Sequence, residues 1–188
     1  FVNKLEQYNE LLFEDKNRDK VTGEKDTYTV LTLNIIHSCN LRCKYCFEEF
    51  DFRQDNFQME EDVASIAINK FIKQLKGKTG HIIFTGGEPI INFKLIKNVV
   101  DYIKKTETSI TYMIKTNGIL ITEEIMLFLI DNNFDVQISL DGNRIANDLN
   151  RVYIDGRGTY DKVISIIDLF IKHQYSERLS LHGTVTHD

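Results

Sequence analysis

The stretch from His81 to Gly118, HIIFTGGEPIINFKLIKNVVDYIKKTETSITYMIKTNG, decides the fold. It opens on a short apolar run, HIIFT, of the length and composition of a buried strand. The run breaks at Gly86-Gly87-Glu88-Pro89. A helical period follows from Asn92, a good N-cap residue type, with Phe93, Ile96, Val100 and Ile103 predicted to be buried. A second apolar run, SITYMIK, then ends at Thr116-Asn117-Gly118. Strand, helix and strand at this spacing require a crossover connection. The two strands are therefore parallel and the crossover right-handed.

The same unit recurs on both sides. Upstream, TYTVLTLNII ends at His37-Ser38-Cys39, and a helix is predicted over about 60 to 75 with Val63, Ile66, Ala67, Phe71 and Leu75 on one stripe. Downstream, Thr122 is placed to cap a helix whose first turn carries Glu123 and Glu124, favourable charges at that end. DVQISL then ends at Asp141-Gly142, and a long connection, NRIANDLNRVYIDGRG, leads to a helix of Val163, Ile166, Ile167, Phe170 and Ile171. A fifth strand, LSLHGTVT, closes the series. The chain thus divides into residues 1–26, a short amphipathic helix (Leu5, Tyr8, Leu11, Leu12) with a charged linker, and residues 27–188, one α/β domain. A parallel sheet of this kind is either doubly wound or part of a (β/α) barrel, and in both the loops after the strands gather at one end, where ligands bind. SCN, TGGEP, KTNG and SLDG all fall there, as one site spread over four loops.

The 188 residues, 42% apolar and 27% charged, describe a globular domain able to bury one core. A net charge of -5 gives no general attraction to nucleic acid or anionic lipid. No apolar run approaches the roughly 18 to 20 residues that cross a bilayer, and no signal-like segment precedes the domain, so a cytoplasmic location is expected.

All three cysteines lie within CNLRCKYC, Cys39 to Cys46. An odd count in one short segment argues against a disulfide framework and for thiolate chemistry in a reducing compartment. The spacing also fits one face of a helix, so a buried stripe is the plainer reading, but Asn40, Arg42 and Lys44 interrupt it. Structural zinc, completed by His37, is another, although zinc sites usually pair two close ligands with two distant ones. Three thiolates on a cubane of four irons leave one iron open.

CNLRCKYC, with Tyr45 before the last cysteine, resembles the CxxxCx-aromatic-C signature of the radical S-adenosylmethionine (SAM) superfamily. The resemblance implies a partial parallel (β/α) barrel of the radical SAM type, here with four βα units and a fifth strand. It also implies a [4Fe-4S] cluster on Cys39, Cys43 and Cys46 whose open iron is chelated by SAM, and reductive cleavage of SAM to methionine and a 5'-deoxyadenosyl radical. TGGEP resembles the GGE motif that holds the SAM amino group, which assigns Gly86, Gly87 and Glu88 to the cofactor.

Asn117-Gly118 reads equally as a turn or as part of the site. A strand-end hydroxyl such as Ser139 can bond a sugar or carboxylate, and an arginine can grip a carboxylate with two bonds. SLDGNRIANDLNR resembles the SLDG, HD and R pattern of the peptide- and protein-modifying subfamily, which includes anaerobic sulfatase maturases and thioether peptide maturases. The resemblance places Ser139 and Arg151 against SAM; Asn147 stands where histidine is frequent. It further implies a peptide or protein substrate and an electron donor such as a flavodoxin or ferredoxin. Phe47, Phe50 and Phe52 are expected to cover the site. The sixth strand and the cysteine-rich extension of that subfamily do not occur in these residues, and a fragment of a longer enzyme is expected. The alternative is a non-catalytic Fe-S or zinc-binding module.

Overall fold

The computed structural model describes residues 28–46 and 57–186. The predicted N-terminal helix, and Phe47, Phe50 and Phe52, lie outside them. Five strands form one sheet: β1 Val30–Asn34, β2 Gly80–Thr85, β3 Ile110–Thr116, β4 Asp135–Ser139 and β5 Leu179–His182. Their order is β1-β2-β3-β4-β5, and each neighbouring pair is parallel. A doubly wound sheet reverses direction at a switch point. This one does not, so the right-handed crossovers all step the same way and stack the helices on one face, the arrangement of a barrel segment.

The register divides the two faces. Leu33, Ile82, Phe84, Tyr112, Ile114, Val136 and Ile138 share one face and are buried, whereas Asn34, Thr85, Met113, Lys115, Gln137 and Ser139 share the other and are half-buried or exposed. The first face carries the helices. Phe134, which leads into β4, is fully buried against Tyr112 and Phe84, with ring centroids 5.1 and 5.9 Å away. The second face is mainly polar, with Ile83 and Met113 as half-buried apolar exceptions, and it leads up to the strand ends.

The helices are α1 Glu61–Leu75, α2 Phe93–Lys104, α3 Glu123–Asp131, α4 Arg144–Asn150 and α5 Tyr160–Lys172. Thr122 caps α3 as expected, its side chain accepting from the Ile125 N–H. Other expectations shift. In α1 the buried stripe is Ala64, Ile68, Phe71 and Leu75, with Ile66 exposed, because two apolar stripes compete and the sheet selects one. Ile171 likewise turns to solvent at the end of α5. Phe93 is half-buried, edge-on to Phe128, and Leu95 and Val99 join Ile96, Val100 and Ile103 in the core. Asn92 makes no cap hydrogen bond. A 3-10 turn, Pro89–Asn92, precedes α2 instead, and Glu88 caps that turn. The fourth helix, α4, lies inside the connection read as a long loop.

No helix among the described residues is long and apolar enough to cross a membrane.

Candidate functional site: four strand-end loops around the cysteines

Residues 39–46 form an extended and turned loop, so the cysteines do not sit on one helix face. Cys43 is buried and Cys39 and Cys46 are half-buried. The loop is fastened from both sides. On the β2 side the parallel ladder runs past the strand ends: Ile35 N–H donates to Thr85 O at 3.0 Å, Gly87 N–H to Ile36 O at 2.8 Å, and Glu88 N–H to Ser38 O at 2.9 Å. A Cβ at Gly87 would stand 2.3 Å from His37 O and 2.5 Å from Ser38 O. Gly86 has φ +145°, and its Cβ would meet Ile36 O at 2.3 Å. Backbone atoms cannot swing aside, so the chain entering the cysteine loop itself demands both glycines.

Glu88 is fully buried. Its Oε1 accepts from Ile90 N at 3.0 Å and from the Thr116 hydroxyl at 2.7 Å, and its Oε2 accepts from Asn117 N at 2.8 Å. Burial pushes the carboxyl up to about 7, while its three donors pull the other way. This carboxylate faces inward and ties the β2 loop to the β3 loop.

Asn117 is more than a turn residue. Gly118 supplies the left-handed conformation, with φ +80°, while the Asn117 side chain crosses to the cysteine loop. Its Oδ1 accepts from Ile119 N at 3.0 Å, and its Nδ2 donates to Asn40 Oδ1 at 2.9 Å and to Cys39 Sγ at 3.8 Å. Leu41 N–H reaches the same sulfur at 3.4 Å.

On the other side the cysteine loop meets the segment after α4. Arg42 N–H donates to Val152 O at 2.8 Å and Lys44 N–H to Asn150 O at 3.0 Å. Arg151, between them, is only 7% exposed. Its Nε lies 3.0 Å from Asp141 Oδ1, an ion pair without hydrogen-bond alignment, and its guanidinium sits 5.4 Å from the centre of the Tyr45 ring. The Tyr45 hydroxyl donates to Asp141 Oδ2 at 2.5 Å, and Asp141 Oδ1 accepts from Thr184 N at 2.9 Å. Burial first, and then this carboxylate, hold the Tyr45 phenol well above its ordinary pKa. Tyr45, Asp141 and Arg151 therefore join three segments in one partly buried group.

Asn147 is fully buried and braces that group, accepting from Asp141 N at 3.4 Å and donating to Thr159 Oγ1 at 3.1 Å and Asp148 Oδ1 at 2.9 Å. Asp148 in turn accepts from the N–H groups of Thr159 and Tyr160 at the start of α5. Ser139 ends β4, opposite His182 of β5, on the polar face. Phe57 is 41% exposed, with its ring 4.6 Å from that of His37. Asn40, Thr116 and Asp141 join the site without a sequence signal of their own.

The donor set can be tested against the metals considered. A single tetrahedral zinc, with Zn–S of about 2.3 Å, draws its thiolates to within about 4 Å of one another. Among the described residues no group of three or more His, Cys, Asp or Glu is placed to hold one metal ion, so a Cys3His site with His37 is not assembled. An iron-sulfur cubane takes each thiolate on a different iron and does not require that convergence. The two N–H groups directed at Cys39 Sγ suit a cluster thiolate, which accepts such bonds.

The model of the Radical SAM superfamily matches residues 33–187. The chain belongs to the radical SAM superfamily. Members of this superfamily are enzymes that use a [4Fe-4S] cluster and SAM. The chain is 31% identical over 181 residues to the radical SAM cyclopropyl synthase TigE of Paramaledivibacter caminithermalis, covering 89% of this chain and 37% of that protein. It is 30% identical over 144 residues to a cysteine-type anaerobic sulfatase-maturating enzyme of Clostridium perfringens, covering 72% and 39%. Among solved structures, anSMEcpe with bound AdoMet and Cp18Cys peptide superposes with a TM-score of 0.71 at 28% identity, covering 81% of this chain and 41% of that one. The chain spans about two fifths of the length of the curated relatives it matches.

Proposed function

We propose that this chain is the cluster- and SAM-binding core of a radical SAM enzyme that modifies a peptide or protein. The observation that carries the reading is the convergence of the GGE, TNG and SLDG loops on one three-cysteine loop, fastened to it by Glu88, Asn117 and the Tyr45-Asp141-Arg151 group. Cys39, Cys43 and Cys46 would hold the cluster. When bound, the cluster and SAM supply one-electron cleavage of SAM and a carbon radical able to take hydrogen from an unactivated C–H bond.

The chain's own residues bind and orient. Arg151 is buried and paired on one side only, with guanidinium N–H groups to spare for the SAM carboxylate. Since the Glu88 carboxylate is committed to three protein donors, the contribution of Gly86, Gly87 and Glu88 to the SAM ammonium falls to backbone carbonyls. Ser139, at the end of β4, would contact SAM through its hydroxyl. Burial of Cys43 and half-burial of its neighbours limit water at the site. The peptide substrate is supported by the maturase relatives and by the peptide in the anSMEcpe structure. A flavodoxin or ferredoxin would deliver the electron.

After anaerobic reconstitution and reduction, the protein is expected to release 5'-deoxyadenosine from SAM, and Cys43→Ala to abolish the release. SAM cleavage that survives this substitution would overturn the assignment. Binding of SAM with no cleavage would mark a binding module.

A further inference from the structure

Asn117 is a short polar residue whose side chain has no freedom. Its backbone N–H is held by the fully buried Glu88, and its Oδ1 by the N–H of Ile119. The second bond fixes which end of the amide faces the cysteines, because an oxygen that accepts from Ile119 leaves the NH2 on the opposite side. Those two hydrogens have two acceptors, Asn40 Oδ1 at 2.9 Å and Cys39 Sγ at 3.8 Å. The residue therefore delivers one N–H to one particular sulfur, from a strand end remote in sequence.

We propose that Asn117 is a positioning residue that sets the reduction potential of the cluster through its hydrogen bond to the Cys39 thiolate. This rests on the reading of Cys39 as a cluster ligand. A cluster that gains an electron gains negative charge on its sulfurs, so an N–H directed at a ligand sulfur stabilises the reduced form more than the oxidised one and raises the potential. Leu41 N–H does the same from within the loop. The Asn117 contribution differs because it comes from the β3 loop, braced by the GGE glutamate, and so couples the cluster to the fold that receives SAM.

The test is spectroelectrochemical titration of the reconstituted protein, followed by electron paramagnetic resonance, with iron and sulfide counted in each sample. Asn117→Ala is expected to keep its cluster and to become harder to reduce by about tenfold, a fall of about 59 mV for one electron. Asn40→Ala removes the other acceptor of the same amide and a carbonyl oxygen 4.0 Å from the same sulfur but leaves the N–H contact, and is expected to shift the potential by less than Asn117→Ala does. Asn117→Asp keeps the bond to Ile119 and replaces the donor by an acceptor, so it is expected to fall further; it decides the matter if Asn117→Ala does not fold. An unchanged potential in the Asn117 variants, or an equal shift in Asn40→Ala, overturns the proposal. Wild-type protein without iron and sulfide overturns the cluster assignment itself, and the proposal with it.

Discussion

The cysteine loop is held differently on its two flanks. Toward β2 and β3 the ties are mainly backbone hydrogen bonds, with two glycines pressed against carbonyl oxygens and one buried carboxylate spanning the loops. Toward β4 and α4 the ties also include buried charge, with Asp141 set between Tyr45, Arg151 and Thr184 N. The first flank is rigid by geometry and the second by electrostatics. Damage to the first is steric and damage to the second leaves an uncompensated charge.

The charged flank is expected to be the more fragile. Asp141→Ala leaves Arg151 buried without its acid, and removing one partner of a buried pair costs about 3–5 kcal/mol. Denaturant unfolding of the variant checks this, with loss of the cluster as a second sign. Gly87→Ala on the other flank forces a methyl group onto His37 O and Ser38 O, and overpacking of this kind costs about 1–3 kcal/mol. A cost nearer zero would show that the flank gives way.

The pH dependence separates the flanks further. Glu88 is raised from 4.5 to about 7 by burial. A raised folded-state value means that the folded protein holds the proton more tightly than the unfolded one. The stabilisation is thus fully present below about pH 4.5 and is lost as pH rises through about 7, a swing on the order of 3 kcal/mol. The stability difference between wild type and Glu88→Gln should fall over that window. A difference that stays flat or rises would mean that the three donors outweigh burial.

The sequence makes the strands and the loops between them legible, because the apolar runs, the helical periods and the Gly-Gly and Asn-Gly breaks are local signals. It does not choose between the two apolar stripes of α1, since only the sheet decides that Ala64 and Ile68 turn inward while Ile66 turns out. It hides α4 because the inner residue of that helix is Asn147 while Ile145 and Leu149 are exposed, so no apolar period marks it. At the site, Arg151 and Glu88 were recognisable as residue types in motifs. The contacts that join the loops are not, because Asp141 and Asn117 reach Tyr45 and Cys39 across gaps of 96 and 78 residues.

The central claim is that three cysteines leave one iron of a four-iron cluster for SAM. Mössbauer spectroscopy of the iron-57 reconstituted protein, with and without SAM, tests it most directly. The account predicts that SAM alters the signal of one iron in about four and leaves the rest in place. A spectrum in which SAM changes no iron, or in which the protein takes up no cluster, would contradict it.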